Sequence, residues 1–503
     1  MNTSFTTTPP TRQDATEIDP GAGPLRRLPW RLVLGVLAVA ACGLALAILP
    51  TPASSGGVST DARVTIVVFV AALWAWAFTS LDDTYVALGA ASVLVLLGVV
   101  ETDDFFATLG DDTIWLLVAA FVIAAGVTTS GLATRATAWL VIAARTPRQL
   151  VHLLTAAIVV TTFAVPSTSG RAALLVPVFV ALAAVLGQER RRLTHALALL
   201  FPTVVLLSAV GSLLGAGAHL VASQVVQTAT GTGFDFSRWL LLGLPLAVVS
   251  SHLAAEIVLW MFTRCADRSE PVSIGIDELA AQSRTPMTGP LSTHEGRAVI
   301  ILSCVVLLWC TAPLHGVHPA MVALVGALVT TSPRYGSTTL KKTLATVPWS
   351  LLLFMAATLA LGTALITSGA ADWVARGAFD ALGVSSPVGF LVVVVLVSAA
   401  SHLLIQSRSA RAAVLVPIVV ALAPAMGVSA AAIAFASTAA AGFCQTLPSS
   451  AKPVALFATL DGAPTYTPAD LRRLSLALGP MLVGLVIAFA LTVWPLLGLP
   501  LTG

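Results

Sequence analysis

Charged residues are scarce in this chain, because they make up only 10% of its 503 residues against about 25% in soluble proteins. No basic run suggests a nucleic-acid surface, so we expect no nucleic-acid partner. The five cysteines are scattered without a CxxC pair, which argues against a disulfide framework or a zinc site. The HExxH and GxSxG motifs of hydrolases are absent as well. We therefore expect neither an enzyme nor a bound cofactor.

Long apolar segments fill most of the chain, of which 57% is hydrophobic. Runs of about 20 apolar residues are typical of membrane-spanning helices, so the sequence predicts an all-α integral membrane protein of the cytoplasmic membrane, in contact with the lipid bilayer. Eleven transmembrane helices are predicted at residues 30–49, 62–80, 84–100, 112–130, 193–225, 238–262, 297–314, 317–332, 346–368, 428–460 and 473–499.

The start of the chain is different in character. Residues 1–28 are polar and rich in threonine and proline, which predicts a disordered cytoplasmic tail. Residues 29–61 then hold the first transmembrane helix and an outer loop. The run Trp30–Leu49 is long for the apolar core of a signal peptide, which favours an uncleaved helix; cleavage is the alternative.

Two further apolar regions, 148–187 and 386–426, are each interrupted near the middle by serine and arginine. Their halves hold only about 14 to 18 apolar residues, which suits a re-entrant hairpin better than two full spans. Polar backbone at that depth is tolerated where protein or a cavity covers it. We therefore expect two re-entrant hairpins in addition to the eleven spans.

The two hairpins belong to a longer internal repeat. "SGRAALLVP" at 169–177 returns as "SARAAVLVP" at 409–417, and "TSG" at 129–131 returns at 367–369. Each hairpin is followed by a span rich in helix-breaking residues, and an odd number of spans per unit makes the second unit inverted. Inverted-topology repeats with broken helices are typical of transporters. The predicted units are repeat 1 (62–262, with broken helix 193–225), a cytoplasmic linker (263–296) and repeat 2 (297–499, with broken helix 428–460).

Basic residues set the predicted orientation. Outside the hairpins and breaks, they fall almost entirely in loops that share the side of the N-terminus, and only Arg63, Arg238 and Arg376 fall on the other. The positive-inside rule places the N-terminus inside and the C-terminus outside.

The hairpin tips and the breaks carry the candidate binding residues. A half-helix that starts at each tip directs free N–H groups and positive dipole toward it, which suits an anion. The alternative is a purely structural role, in which the hydroxyl groups only cap these helix ends. The candidate substrate-binding residues are Ser167, Thr168, Ser169, Arg171, Ser407, Arg408, Ser409, Arg411, Thr446, Ser449, Ser450 and Lys452.

Four of these candidates are cations, and no acidic residue lies in the same hairpins or breaks. A charge inside the membrane is costly and usually paired, so an anionic substrate is the expected partner. Arginine matches carboxylate, phosphate or sulfate with two hydrogen bonds. Alternatively, Arg171 and Arg411 snorkel or bind helix carbonyls. His252 and Glu256 share a helix face and form either a structural or a proton-coupling pair.

The tips resemble those of the divalent-anion:sodium symporter (DASS) family, which carry Ser-Asn-Thr followed by small residues and an LLLP-like run. The matching stretches here are Ser167-Thr168-Ser169 with "LLVP", and Ser407-Arg408-Ser409 with "VLVP". The resemblance covers about residues 62 to 499 in organisation. It implies secondary transport of di- or tricarboxylates or sulfate, a homodimer, an elevator-type motion, and tips that bind substrate and sodium.

Two departures from the family pattern concern sodium. Neither tip keeps the asparagine, and Arg171 and Arg411 stand two residues after the motif. A fixed cation repels sodium strongly in a low dielectric, so we expect no metal site and sodium-independent transport, with both arginines acting as the counter-charges. The alternatives are a proton-coupled antiporter, an oxyanion efflux pump and a membrane-embedded enzyme. Proton antiport would favour a carboxylate near the tips, where none is evident, and Glu256 is the only candidate.

Overall fold

The computed structural model describes residues 58–132, 143–271, 290–374, 386–460 and 463–502, and seven isolated positions (35, 40, 41, 43, 44, 135 and 377). Within these residues the chain forms helices and no β-strand. The first half contains α1 (Thr60–Phe78), α2 (Asp83–Leu96), α3 (Asp112–Ser130), α4 (Pro147–Ala164), α5 (Thr168–Leu186), α6 (Arg191–Leu207), α7 (Gly217–Thr230) and α8 (Phe236–Phe262). The second half contains α9 (Thr293–Cys310), α10 (Pro319–Thr330), α11 (Trp349–Thr367), α12 (Pro387–Ala400), α13 (Arg408–Leu422), α14 (Ala430–Ala440), α15 (Lys452–Ala458) and α16 (Pro468–Ala488).

Nine helices among the described residues are long and apolar enough to cross a membrane. They begin at Thr60, Thr102, Pro147, Thr168, Arg191, Phe236, Thr293, Trp349 and Pro468. The prediction of an all-helical, multi-pass membrane protein is confirmed. The predicted spans 84–100 and 317–332 are shorter helices of 14 and 12 residues. Residues 1–28 and most of 30–49 lie outside the described residues.

Each interrupted region consists of two helices joined by a short connection. In the first, α4 ends at Ala164 and α5 begins at Thr168. In the second, α12 is followed by a 3₁₀ turn at Ser401–Leu403, and α13 begins at Arg408. The helices α4 and α5 have 18 and 19 residues, which is long enough to cross the membrane. Length therefore does not decide between a re-entrant hairpin and two spans, and re-entry stays a prediction.

Both helices that follow the hairpins are broken. After α6, two 3₁₀ turns (Ser208–Gly211 and Leu213–Gly215) lead to Ala216, where α7 begins. After α14, a loop and a 3₁₀ turn (Pro448–Ser450) lead to Ala451, where α15 begins. Ala216 has φ −158° and ψ 149°, and Ala451 has φ −158° and ψ 144°. The two restarts therefore share one backbone conformation.

The repeated "TSG" also has a structural reason. Gly131 follows α3 with φ +80°, and Gly369 follows α11 with φ +77°. A left-handed residue just past a helix end favours glycine, because other side chains are strained there. The same signal therefore ends the corresponding helix in each half.

The first break lies inside the protein rather than against lipid. In an 18-residue window of Arg191–Gly211, 94% of the residues are buried, against 22% in Thr293–Cys310. A smaller apolar cluster packs α1, α2 and α11 against the second hairpin through Ile405, Ala410 and Val414. The tip of that hairpin is thus docked on α1, α2 and α11.

The predicted linker 263–296 is only partly described. A short helix (Cys265–Ser269) follows α8, and residues 272–289 lie outside the described ranges. At its end, α9 begins at Thr293, four residues before the predicted span. Glu295 in the first turn of α9 is buried and forms a 3.1 Å ion pair with Arg135, which follows α3.

Candidate functional site

Two of the predicted tip serines cap helices. The Ser167 hydroxyl accepts a 3.2 Å hydrogen bond from the Gly170 N–H at the start of α5. The Ser407 hydroxyl accepts a 3.3 Å hydrogen bond from the Ala410 N–H at the start of α13. Both serines therefore cap helices, and each tip is a helix N-terminus; a role in substrate binding stays a prediction.

Arg171 is fully buried and bonded to the first break. Its Nη2 donates to the Val205 carbonyl at 2.7 Å, and its Nη1 donates to the Ser208 hydroxyl at 2.9 Å and to the Thr162 hydroxyl. Val205 lies in the last turn of α6, where carbonyl groups lack helical partners and the dipole is negative. The guanidinium thus stabilises the end of the broken helix.

Arg411 has the corresponding role in the second repeat. It is fully buried, its Nη1 donates to the Phe443 carbonyl at 3.4 Å, and its Nη2 donates to the Cys444 sulfur at 2.8 Å. Both acceptors follow the end of α14. The alternative that Arg171 and Arg411 bind carbonyls of neighbouring helices is therefore realised, and the terminal nitrogens of both side chains donate to protein acceptors.

Arg408 is bound differently. Its Nη1 makes a long 3.4 Å hydrogen bond to the Leu206 carbonyl in the opposite repeat, while its buried Nε and Nη2 have no hydrogen-bond partner. These two nitrogens form one edge of the guanidinium, and this edge can donate two parallel hydrogen bonds to a carboxylate. A Cβ added at Gly442 would lie 2.7 Å from Nη2, so the absence of a side chain at this position makes space for the guanidinium of Arg408.

The three guanidinium groups form one positive cluster. Arg408 lies within electrostatic range of both Arg171 and Arg411. Among the described residues, none of the three forms a hydrogen bond or ion pair with a carboxylate. Clustered like charges at a buried site are unfavourable unless an anion joins them. The arrangement is therefore suited to an anion beside Arg408.

The remaining predicted residues separate into two groups. Ser409 lies beside Arg408 and close to Gly217, since a Cβ added at Gly217 would lie 2.9 Å from the Ser409 hydroxyl oxygen. Thr168 and Ser169 are half-buried at the first tip. Thr446 hydrogen-bonds His402 Nε2 at 2.7 Å, and the Ser450 hydroxyl accepts from the Leu447 N–H at 3.1 Å. Ser449 and Lys452 are exposed. The structure groups Ser407, Arg408 and Ser409, whereas Thr446 and Ser450 organise their own loop.

Sequence reasoning missed Asp83. This carboxylate begins α2 and lies within electrostatic range of Ser407 and Lys452. The expectation that no carboxylate lies near the tips is therefore wrong. The hairpin and its break do lack acidic residues, but docking of the tip on α2 brings one from a distant part of the chain.

The pair of His252 and Glu256 is part of a larger cluster. His152 of α4 contacts His252 Nδ1 at 2.8 Å through its Nδ1 and Glu256 Oε1 at 2.7 Å through its Nε2. Arg148 also donates to Glu256 Oε1 at 2.7 Å. These contacts join the first helix of hairpin 1 to α8, which supports the structural role for the pair.

The model of the sodium:sulfate symporter transmembrane region matches residues 30–499, nearly the whole chain. The chain belongs to this family. The resemblance to divalent-anion:sodium symporters is confirmed, and because this is a family of transporters, the alternative of a membrane-embedded enzyme is excluded.

Three curated relatives have low sequence identity to this chain. A membrane protein of Cupriavidus necator is 26% identical over 313 residues, covering 61% of this chain and 60% of the relative. The sodium-dependent dicarboxylate transporter SdcS of Staphylococcus saprophyticus is 23% identical, covering 72% and 74%. The putative malate transporter YflS of Bacillus subtilis is 23% identical, covering 58% and 61%. The chain thus aligns with about three fifths of the length of the first and third of these.

Two solved transporter structures share the fold of this chain. The YdaH transporter of Alcanivorax borkumensis superposes with a TM-score of 0.53 at 17% identity, covering 94% of this chain and 98% of that one. MtrF of Neisseria gonorrhoeae, described with a class of antimetabolite efflux pumps, gives 0.54 at 14% identity, covering 92% and 94%. At these identities the similarity shows the fold alone.

Proposed function

We propose that this chain is a secondary transporter of small anions, either di- or tricarboxylates or sulfate, and that Arg408 binds the anion. The observation that carries the proposal is the pair of buried, unpartnered donors on Arg408, Nε and Nη2. A carboxylate or sulfate offers two oxygens that match this edge. The relatives named for dicarboxylate and malate support the carboxylate class.

Sodium-independent transport is the second part of the proposal. In transporters with inverted repeats, the C-terminal ends of half-helices and unwound carbonyls coordinate the coupling cation. Here a guanidinium lies at each such end, Arg171 against the Val205 carbonyl and Arg411 against the Phe443 carbonyl. Each arginine then supplies permanently the positive charge that a bound sodium ion would supply transiently. Exchange, proton coupling and facilitated diffusion are all compatible with this arrangement.

We further propose the membrane topology that the sequence predicts. The N-terminus lies inside and the C-terminus outside, with residues 1–28 in the cytoplasm and 263–296 as a cytoplasmic linker. The two hairpins are re-entrant within repeats 62–262 and 297–499, and they move with the broken helices in an elevator-type step. The protein works as a homodimer. In support of this motion, the second hairpin packs on α1, α2 and α11 through Ile405, Ala410 and Val414, and the hairpin would slide along this apolar surface.

Transport by purified protein tests the binding role of Arg408. Wild type in proteoliposomes is expected to take up at least one of labelled succinate, malate, citrate or sulfate. Arg408→Lys keeps the charge but loses the two-nitrogen edge, so KM should rise about tenfold, and Arg408→Gln should abolish uptake. The exposed Arg334→Gln is the matched control and should transport normally. If both Arg408 variants have unchanged kinetics and the control is active, the anion does not bind at Arg408.

A sodium gradient tests the coupling. Uptake by wild type should be the same in sodium and in choline, and Arg171→Ala or Arg411→Ala should reduce it. Steeply sodium-dependent uptake by wild type contradicts sodium independence but leaves the role of Arg408 standing.

A proton-coupled carrier is the second candidate, and the observation that favours it is Asp83 beside Ser407. An acidic side chain at the tip is the group that proton antiport requires. A pH gradient that drives uptake in wild type but not in Asp83→Asn supports this alternative.

A further inference from the structure

A groove lies between α16 and the end of α12. It has a volume of about 1010 Å³, and along α16 it extends from Arg472 near the start of the helix to Gly484. This stretch of helix rises about 18 Å, a little more than half of the ~30 Å hydrocarbon core of a bilayer. The groove therefore has about the length of the hydrocarbon region of one leaflet.

The walls of the groove are apolar and exposed. Leu476 of α16 is 80% exposed, and Leu396 of α12 is 50% exposed. Gly479 and Gly484 also line the groove, and a Cβ added at Gly484 would meet no atom within 4 Å. An exposed apolar concavity on membrane-spanning helices is a surface suited to a hydrocarbon chain.

At the inner end of the groove, the polar side chains are paired with protein atoms. His402 Nδ1 donates to the Ala399 carbonyl at 2.6 Å, and its Nε2 lies 2.7 Å from the Thr446 hydroxyl. Phe443 packs edge-on against the His402 ring, with 5.1 Å between the ring centroids. All four residues line the groove. This end therefore suits an apolar group better than a soluble anion.

The outer end of the groove is cationic. Arg472 and Arg473 line it and are exposed, and their side chains form no ion pair or hydrogen bond with any described residue. The nearby carboxylate of Asp470 is already engaged, because its Oδ2 accepts from the Thr467 hydroxyl at 2.7 Å and lies 3.3 Å from His195 Nε2. Two adjacent guanidinium groups without a carboxylate are suited to a phosphate.

Ser475 lies one helical turn further into the groove than Arg472. It is 8% exposed, and its hydroxyl has no hydrogen-bond partner among the described residues. A buried hydroxyl without a partner is unfavourable, which points to a hydrogen-bond acceptor from outside the chain. In a phospholipid, the ester oxygens lie between the phosphate and the acyl chains, and they are acceptors of this kind.

We propose that this groove binds an anionic phospholipid of the cytoplasmic leaflet. The phosphate contacts Arg472 and Arg473, an ester oxygen accepts from Ser475, and one acyl chain follows α16 to Phe443. Basic residues beside grooves between transmembrane helices on the cytoplasmic side are suited to such headgroups. The inference rests on the proposed function for the side of the membrane and for the effect on transport.

A lipid in this groove is expected to support the second break. Phe443 lines the groove, its carbonyl accepts from Arg411, and the preceding Gly442 makes space for Arg408. A Cβ added at Gly479 would lie 3.3 Å from the Phe443 ring, so α16 packs closely on this residue. An acyl chain that covers Phe443 therefore restrains the backbone beside both arginines, and transport should be faster when anionic lipid is present.

Binding is measured through the melting temperature of the detergent-solubilised protein. Phosphatidylglycerol is titrated, with phosphatidylcholine and inorganic phosphate in parallel. Phosphatidylglycerol should raise the melting temperature of wild type by about 3 °C more than phosphatidylcholine does, and inorganic phosphate should not raise it. In Arg472→Gln combined with Arg473→Gln, the phosphatidylglycerol concentration for half of the shift should rise about thirtyfold. Lys341→Gln combined with Lys342→Gln, an exposed pair outside the groove, is the matched control.

A second variant tests the acyl chain. Gly484→Leu places a side chain in the groove and should weaken phosphatidylglycerol binding, whereas Gly89→Leu, at an equally open position of α2, should not. Equal stabilisation of wild type by the two lipids, or a preference for phosphatidylglycerol that survives in both groove variants, overturns the inference. An equal effect of inorganic phosphate also overturns it, because the arginines would then bind a soluble anion.

Uptake gives a separate readout. Wild type in phosphatidylcholine vesicles should transport faster when phosphatidylglycerol is included, and the double arginine variant should not respond. Equal wild-type uptake in both lipid mixtures overturns the link between the lipid and the second break. Because the melting temperature does not depend on transport, absence of all wild-type uptake would remove the proposed function and leave the lipid site standing. Loss of the preference for phosphatidylglycerol with uptake intact does the reverse.

Discussion

Arg171 Nη2 lies 2.7 Å from the main-chain oxygen of Val205, a residue 34 positions further along the chain. The bond joins the start of one hairpin helix to the end of the broken helix that follows it. Its equivalent in the second repeat joins Arg411 to Phe443. The two arginines therefore hold each hairpin against its own break, and this structural role is compatible with a role as counter-charge.

Removing Arg171 should expose a cation site. In Arg171→Ala, the Val205 carbonyl and the hydroxyls of Ser208 and Thr162 lose their buried donor. We expect a loss of about 2 kcal/mol in stability. Because these oxygens suit a small cation, sodium chloride should raise the melting temperature of the detergent-solubilised variant more than choline chloride does.

The control for this measurement is the exposed Arg334→Ala, which should melt like wild type in both salts. An equal response of Arg171→Ala to sodium and choline would show that the guanidinium does not occupy a cation-binding position.

Gly442 should be sensitive to a single methyl group. A Cβ there would lie 2.7 Å from Arg408 Nη2 and 2.9 Å from the Ala439 carbonyl, so Gly442→Ala must displace the guanidinium. We expect a higher KM for the transported anion. Gly89 in α2 has no atom within 4 Å of the equivalent position, so Gly89→Ala should leave KM unchanged and stabilise the helix by about 0.5–1 kcal/mol. Equal KM values for the two variants and wild type would contradict the placement of the anion at Arg408.

The Arg135–Glu295 ion pair should dominate the stability of the junction between α3 and α9. Both side chains are 4% exposed, so Glu295→Gln removes a buried ionic contact at a cost of about 3 kcal/mol. The exposed pair of His318 and Asp112 provides the comparison, and Asp112→Asn should cost under about 1 kcal/mol. Thermal unfolding in detergent measures both, and similar losses in the two variants would show that burial does not strengthen the pair.

The parts of the site that follow from local sequence were predictable. Ser167 and Ser407 precede small residues and an apolar run, which is a helix-start pattern, and both cap helices. The glycine of each "TSG" follows the end of a helix with a positive φ, a conformation that strains other residues. This preference depends only on the local backbone, so the sequence could show it. Helix lengths were less predictable, since α2 ends at Leu96 and is followed by Gly98 with φ +74° inside the predicted span 84–100.

The partners of the charges were not predictable, because they depend on tertiary packing. Arg408 reaches the Leu206 carbonyl of the other repeat, and Asp83 reaches the tip from α2. In the sequence, the arginines at 171 and 411 are equivalent to each other, and Arg408 is equivalent to Thr168. Only the packed arrangement distinguishes the two guanidinium groups whose terminal nitrogens both donate to protein acceptors from that of Arg408, whose Nε and Nη2 have no partner.

Fixed guanidinium groups have an electrical consequence for an elevator-type carrier. A sodium ion dissociates on each side of the membrane, whereas in the proposed elevator-type step Arg171 and Arg411 travel with the hairpin unit in both directions. Moving one elementary charge through 100 mV changes the free energy by about 2.3 kcal/mol. The membrane voltage therefore acts on the return of the empty carrier through these fixed positive charges, whereas a bound divalent anion offsets them and makes the loaded step the less voltage-sensitive of the two.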